Sequence, residues 1–546
     1  MTEGKLSADL RISKRFKYTP IFKTSFIKAK EKPPRRWCAC CDGTVARITG
    51  YVFLVLLFIF SSTGSIVLWA TNTYHQVVIE NLALKNYSQA FEWWQKPPVQ
   101  PKVQIYIFNY TNVPDFLNNG TKLKVEELGP YTYLETLEKV NLIWNNNGTI
   151  TFQERRNYKF VPELSSGWET DRLVVPNIPL LSAVAVVRNE FYFVRLSLAT
   201  LLRSINARPF VRVSVNELLW GYDDPLFSMA RTVLALKQQP PTRKFGLLLP
   251  KLGVSPWRIT VNTGELEMAK LGVVSHYNGE DSLDYWRSEE CNRIDGAEGA
   301  NFPPAAIKKF SRVHVYNRDF CRRLPLDFKE HSQVWDGIPT LRFQPPRDVF
   351  AHPDENPDNA CFCDPARAVC PPSGVFNVSP CVFDAPIFVS FPHFYLGDPV
   401  LLETVEGLKP DPKRHEMYID LHSELGVPLS GKSAFQLNVM VMKANGVDHL
   451  DAFNDRDILP ISWVNVVLDE LPEELRFAMY HVTFSVRALQ LVLMYGLPAV
   501  AACCALALLR EWLRARGRLR APAPPPVPAA TAAVIALSPD DILIAP

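Results

Sequence analysis

The sequence predicts an α+β membrane protein in which two transmembrane helices flank one large, mostly antiparallel, β-barrel-like domain with a helical insertion. Three observations lead there. Two uncharged stretches, residues 48–70 and 488–509, lie near the two ends of the 546-residue chain and are long enough to cross a bilayer. All five N-x-S/T sequons, and six of the eleven cysteines, fall between those stretches. The intervening residues 71–487 are dominated by short alternating apolar runs.

Residues 1–47 carry twelve Lys and Arg against four Asp and Glu, a net +8, and read as a flexible basic tail. The 23 residues of 48–70 rise about 35 Å as a helix, enough for a hydrocarbon core of roughly 30 Å. With 47 residues ahead of it and no small-residue cleavage site behind, this stretch is expected to be an uncleaved anchor. Arg35, Arg36 and Arg47 crowd its front, and Arg510, Arg514, Arg516, Arg518 and Arg520 follow the second stretch. By the positive-inside rule both ends are cytosolic, and 71–487, with a net charge of −7, is luminal or extracellular. That balance argues against nucleic-acid binding by the middle domain. Residues 510–546 form a second cytosolic tail with a Pro/Ala segment that cannot build a core.

The sequons are at Asn86, Asn109, Asn119, Asn147 and Asn377, the last weakened by Pro380. The six cysteines between the spans fit an oxidising compartment, and spacing alone allows fifteen pairings. Along the middle domain, a helix is expected over 74–94, followed by strands such as 103–108 and 131–133 with turns at 118–120 and 145–148. Long helical spacing runs over 179–203 and continues over 215–236, a helical insertion at about 179–236. Strands return at 258–262, 312–316, 386–390, 416–421 and 434–441. Arg188, Arg195 and Arg203 recur at seven and eight residues and are expected on one broad helical arc, with Arg208 and Arg212 beyond; against Glu190 alone they make a +4 patch. Such a patch attracts phosphate or carboxylate groups. Ser61, Gly64 and Ser65 make a small face for packing of the two spans.

Several strings in the middle domain are distinctive: GPYTY (129–133), PELSSG (162–167), NELLWGYDDP (216–225), NPDNACFC (356–363), CPPSGVFNVSPC (370–381), VSFPHFYLGDP (389–399) and RHEMYIDLHSELGVPL (414–429). In this order and topology they closely resemble the class B scavenger receptor family, which includes platelet glycoprotein IV, the high-density lipoprotein receptor, lysosomal integral membrane protein relatives and many insect members; an insect-type member is expected. The resemblance implies disulfides Cys291–Cys361, Cys321–Cys381 and Cys363–Cys370 within a disulfide-rich region 291–381. Cys361 and Cys363 flank Phe362, so an extended segment would turn both toward one face.

The resemblance further implies a helical apical bundle that captures ligand, with Arg188, Arg195, Arg203 and Arg208 as ligand-binding residues, and an internal hydrophobic tunnel leading toward the membrane. Related fatty-acid-binding members carry lysines where this chain has 204–206, which sets a long-chain fatty acid preference in doubt. Trp220, Phe391, His393 and Phe394 lie in the shared strings and are expected in the core. His393 is the one tempting catalytic histidine, but no nucleophile elbow, zinc-protease motif or phosphate loop accompanies it, so no catalytic residue, metal site or cofactor is expected. Cys38, Cys40, Cys41, Cys503 and Cys504 are juxtamembrane lipidation candidates, and 538–546 is similar to an acidic dileucine sorting signal. The implied function is capture of lipids, lipoproteins or anionic lipid-bearing particles at the plasma membrane or an endosomal–lysosomal membrane, with tunnel transfer or endocytic uptake and a homo-oligomer allowed for. The alternative is a trafficking receptor that escorts a luminal protein.

Overall fold

The computed structural model describes residues 39–71, 73–234, 242–335, 337–363 and 370–519. Helix α1 (Ala39–Ala70) starts well before the apolar stretch does, and its apolar part, Val45–Ala70, is long enough to span a membrane. The helix expected over 74–94 is two short ones, α2 (Thr73–Glu80) and α3 (Gln89–Gln95). Tyr87 takes a left-handed φ of 62° between them, and the Ser88 hydroxyl then caps α3 by accepting the Phe91 N–H at 3.1 Å.

Strand β1 (Lys102–Tyr110) leads to α4 (Val113–Asn119). The glycine expected in a hairpin at 118–120 instead ends this helix: Gly120 sits at φ 64° and returns its N–H to the Phe116 carbonyl. The 145–148 turn does join a hairpin, between β2 (Leu123–Asn145) and β3 (Thr149–Phe160). After β4 (Arg172–Pro176) come α5 (Ile178–Val187) and α6 (Tyr192–Ser204). The Asn177 side chain caps α5, and Asn206 at φ 48° follows the end of α6. Strand β5 (Phe210–Ser214), rich in β-branched residues, pairs with β4 before α7 (Val215–Trp220) and α8 (Pro225–Leu234). The expected helical insertion is therefore four short helices split by a strand; its last two positions, 235–236, lie outside the described residues.

Next come β6 (Gly253–Val254), β7 (Ile259–Asn262) and β8 (Val274–Tyr277), then the one-turn helices α9 (Glu289–Asn292) and α10 (Pro304–Lys308). Strands β9 (Val313–Asn317), β10 (Arg322–Val334), β11 (Ile338–Gln344), β12 (Val375–Asn377), β13 (Ile387–Ser390) and β14 (Val405–Glu406) follow. The domain ends with α11 (Pro412–His415), β15 (Tyr418–His422), β16 (Pro428–Met440) and β17 (Ile458–Leu468).

Fifteen of these strands form one sheet, with main path β8-β7-β3-β2-β1-β17-β16-β15-β11-β10-β9. Every pairing along that path is antiparallel. Its two ends approach each other through Ala297, which bridges Val273 beside β8 and Val315 in β9. The sheet is thus nearly closed, like a barrel, which protects its edges. Strand β1 is buried on both faces: Ile105 and Ile107 join Leu218 and Leu219 of α7, while Tyr106, Phe108 and Tyr110 join the main core with Trp463.

Helix α12 (Glu473–Tyr480) runs through a π-turn, His481–Ser485, into α13 (Val486–Leu519). The helical run Glu473–Arg516 that contains the second span has 44 residues, about 66 Å of helix and twice a hydrocarbon core. The one uncharged stretch of spanning length in it lies between Arg487 and Arg510, so the 488–509 reading marks the bilayer core rather than the helix ends. Ser61 is fully buried, and a Cβ on Gly64 would come within 2.9 Å of Leu497, so the small face of α1 packs on α13.

Candidate ligand-capture surface and disulfide cluster

Helix α5 packs its apolar residues Leu180, Leu181 and Val184 into the core, against α6 and α8. Helix α6 buries Ala199 and Leu202 but leaves its first turn uncovered. The expected arginine arc is not there. Arg188 is the C-cap of α5, while Arg195 and Arg203 lie on α6, because the chain turns at 188–191. Arg188 grips Asp455 with both terminal nitrogens, at 2.6 and 2.8 Å, and Arg203 pairs with Asp448 at 2.7 Å. Arg195 donates to the Glu190 carbonyl at 2.9 Å. Arg208 and Arg212 are exposed beyond α6, the latter on β5. The charge counted in the sequence is thus half neutralised by two aspartates from the loop between β16 and β17.

The structure joins Cys291 to Cys361, Cys321 to Cys381 and Cys363 to Cys370. The segment holding the middle cysteines is not extended: Pro357–Phe362 is a 3-10 turn. Phe362 between them packs edge-on against Trp286 and Phe376. Arg322, buried beside Cys321, lays its guanidinium over Phe362 at 4.0 Å and Phe376 at 4.7 Å, and burial pulls its pKa down to about 9. Trp286 Nε1 donates to the Cys321 carbonyl at 2.6 Å. The cluster is a packed core in its own right.

His393 is buried, as are Phe391 and Phe394, while Trp220 is half-buried against Tyr133 and Tyr158. His393 Nδ1 accepts the Lys409 N–H at 3.0 Å, which leaves Nε2–H to donate to Glu127. Glu127 also receives Trp463 Nε1 at 2.9 Å and an Arg414 nitrogen. Burial alone would raise the Glu127 carboxyl, but these donors hold it at about 2. His415 stacks on His393 with ring centres 4.6 Å apart and accepts the Asp411 N–H at Nδ1; burial, and then His393 and Arg414, lower it to about 3. Sequence reading gave no role to Glu127, Arg414 and His415 because β2, the turn at Pro392–Phe394, α11 and β17, far apart in the chain, bring them together, and no local spacing signals that.

A second buried ionic seam crosses β2 and β3. Arg156 pairs with Glu135 at 2.9 Å and Glu154 at 3.0 Å, and Arg318 adds a contact to Glu154 at 3.3 Å.

Of the sequons, Asn86, Asn119 and Asn147 are exposed, whereas Asn109 is half-buried and accepts the Val174 N–H at 2.9 Å. Asn377, the sequon weakened by Pro380, is the least accessible of the five. It is 9% exposed on β12 and its side-chain oxygen accepts the Ser379 N–H. Cys503 is an exposed free thiol and Cys504 a buried one. Cys38 lies outside the described residues, as do the side chains of Cys40 and Cys41 and all of 538–546.

Two membrane-spanning helices around a large, nearly closed antiparallel sheet, braced by three disulfides in one region, define an integral membrane protein with a folded domain between its spans. The profile of the CD36 family matches residues 52–511. The chain is 36% identical over 388 residues to scavenger receptor class B member 1 of Bos taurus, covering 71% of this chain and 74% of the relative. It is 35% identical over 406 residues to the Mus musculus protein of the same name, 74% and 78% of the two chains. Lysosome membrane protein 2 of Homo sapiens is 32% identical over 429 residues, 78% and 86%. The chain belongs to the CD36 family, and this relationship supports reading it as a class B scavenger receptor.

Proposed function

We infer that this protein is a receptor that captures lipids or lipid-bearing particles at the α5–α6–α8 bundle and passes the lipid through a conduit enclosed by the sheet to its host bilayer. The observation that carries the reading is the family match across 52–511, with scavenger receptors among the relatives. The nearly closed sheet supports it, since a closed wall is what a sheltered path needs. Shelter has a physical reason: each CH₂ exposed to water costs about 0.8 kcal/mol, so an apolar path removes most of the barrier to crossing the aqueous gap. The reading is non-catalytic, in line with both ring nitrogens of His393 being engaged. Both termini are cytosolic, at the plasma membrane or an endosomal–lysosomal membrane, in line with arginines at the outer ends of both spans and disulfides in between.

Mass spectrometry of lipids that co-purify with the glycosylated full chain tests this. Defined lipids should be enriched over an unrelated two-span glycoprotein prepared alongside. Equal lipid content in the two preparations sinks the reading.

A further inference from the structure

The first turn of α6 is aromatic and uncovered. Phe191 is 82% exposed, Tyr192 58% and Phe193 76%, and Val194 beside them is 42% exposed. Four consecutive residues of a helical turn point in all directions, so exposure of all four means that the turn protrudes, with no core behind it. A protrusion offers no enclosure for a small molecule, which needs a concave site. It does suit a soft surface that parts around it, as the interfacial layer of a phospholipid surface does for aromatic and aliphatic groups.

Charge selects the kind of surface. Arg188 is neutralised by Asp455. Next to the turn stand Glu190 and Arg195, one of each sign, so the tip is locally neutral. Arg195 gives one terminal nitrogen to the Glu190 carbonyl, and no ion pair joins Arg195 or Glu190 among the described residues. One anionic and one cationic side chain around aromatic faces match a zwitterionic headgroup. The guanidinium faces phosphate, and the carboxylate and ring faces suit a quaternary ammonium.

We propose that the first turn of α6 inserts into the phosphocholine surface of lipid particles, with Phe191 and Phe193 entering the acyl boundary and Tyr192 resting at headgroup level. This rests on the lipid-capture reading and replaces its electrostatic form with an apolar one. Capture by this route is weakly salt-dependent, since screening acts on charges and not on apolar burial.

The test uses the full chain in nanodiscs and protein-free phosphatidylcholine vesicles, scored by flotation. Phe191→Ser with Phe193→Ser should weaken vesicle binding by roughly tenfold per phenylalanine. Raising salt from about 0.05 to about 0.5 M should change wild-type binding by less than about twofold. The fluorescence of a Phe193→Trp chain, read as its difference from wild type, should be quenched by lipids brominated near the headgroup end of the acyl chain. Both serines lie on an open turn, and retained disulfides and a single gel-filtration peak check the fold. Unchanged binding by the double variant overturns the proposal, as does binding that needs anionic lipid and vanishes in salt. An indole signal in the Phe193→Trp chain that ignores protein-free vesicles but is shielded by the protein of a lipoprotein also overturns it, in favour of a protein partner. Lipid content is measured on the same chains purified in detergent rather than in nanodiscs: vesicle binding that depends on the phenylalanines without enrichment of co-purified lipid refutes the conduit and leaves the insertion standing.

Discussion

Arg188 and Asp455, 267 residues apart, form a two-pronged ion pair that fastens the end of α5 to the loop between β16 and β17. Asp455 also accepts the Lys443 N–H at 2.9 Å, and the Arg188 hydrogen bonds hold its carboxyl below the ordinary range. Arg188→Glu places two carboxylates against each other and should cost about 1 kcal/mol, the upper end for a partly exposed pair. Asp455→Arg in the same chain should restore most of it. Thermal unfolding of the four combinations gives the coupling, and additive effects would show that the pair only coincides in space.

Glu127 is the second point at which a single atom change should be felt. One oxygen serves His393 and Trp463 and the other serves Arg414. Glu127→Gln removes the charge these donors converge on: with the amide oxygen kept by His393 and Trp463 its NH₂ is set against the Arg414 guanidinium, and in the other orientation the two buried donors lose their acceptor. The expected loss is about 2–4 kcal/mol in denaturant unfolding. Arg414→Gln should cost less, because the Arg414 side chain is 44% exposed and water can replace it. Equal effects of the two changes would contradict the burial argument.

Glycan mapping has a clear expected order. Asn86, Asn119 and Asn147 should be occupied and Asn377 empty, with Asn109 partial because its side-chain oxygen holds the Val174 N–H. Peptide mass spectrometry after glycosidase treatment reads each site. A full glycan at Asn377 would mean that β12 folds after modification in a different arrangement.

The spans, the strand-rich domain and the cysteine-rich region were legible because each is written in local sequence: uncharged length, period-two alternation and spacing. The break between α5 and α6 was not, since residues 188–191 contain no proline or glycine and the turn is set by how α6 packs Ala199 and Leu202. Counting arginines gave a charge but not its partners, because Asp448 and Asp455 come from a distant loop. The 118–120 turn misled for another reason: an Asn-Asn-Gly string serves a helix C-terminus as well as a hairpin. The aromatic turn at 191–194 was visible as residues, but its exposure is a property of the fold alone.

His422 makes stability depend on pH in a direction that can be worked out. It is 2% exposed, its Nδ1 accepts the N–H groups of Glu424 and Leu425 at 3.2 Å, and its Nε2 lies 2.8 Å from Thr483 Oγ1. Thr483 donates its own proton to the Met479 carbonyl, so His422 Nε2–H is the donor in that contact and the ring is neutral. Burial lowers its pKa to about 4, opposed only in part by Glu424. A free histidine takes its proton near pH 6.5, so the unfolded chain binds a proton before the folded one does. The stability tied to this group is complete above about pH 6.5 and is lost as pH falls toward about 4. His415, at about 3, acts in the same sense. Glu127, at about 2, is a depressed carboxylate whose contribution is retained until pH falls below its unfolded value near 4.5. Between pH 7.4 and pH 5 each of the two histidines should therefore cost up to about 2 kcal/mol. In His422→Asn the amide oxygen can still accept the two N–H groups, but no proton is taken up. That chain should be less stable than wild type at pH 7.4, having lost Thr483, yet show a flatter decline toward pH 5. Denaturant unfolding of both chains at four or five pH values decides the matter, and parallel declines would remove His422 as the source.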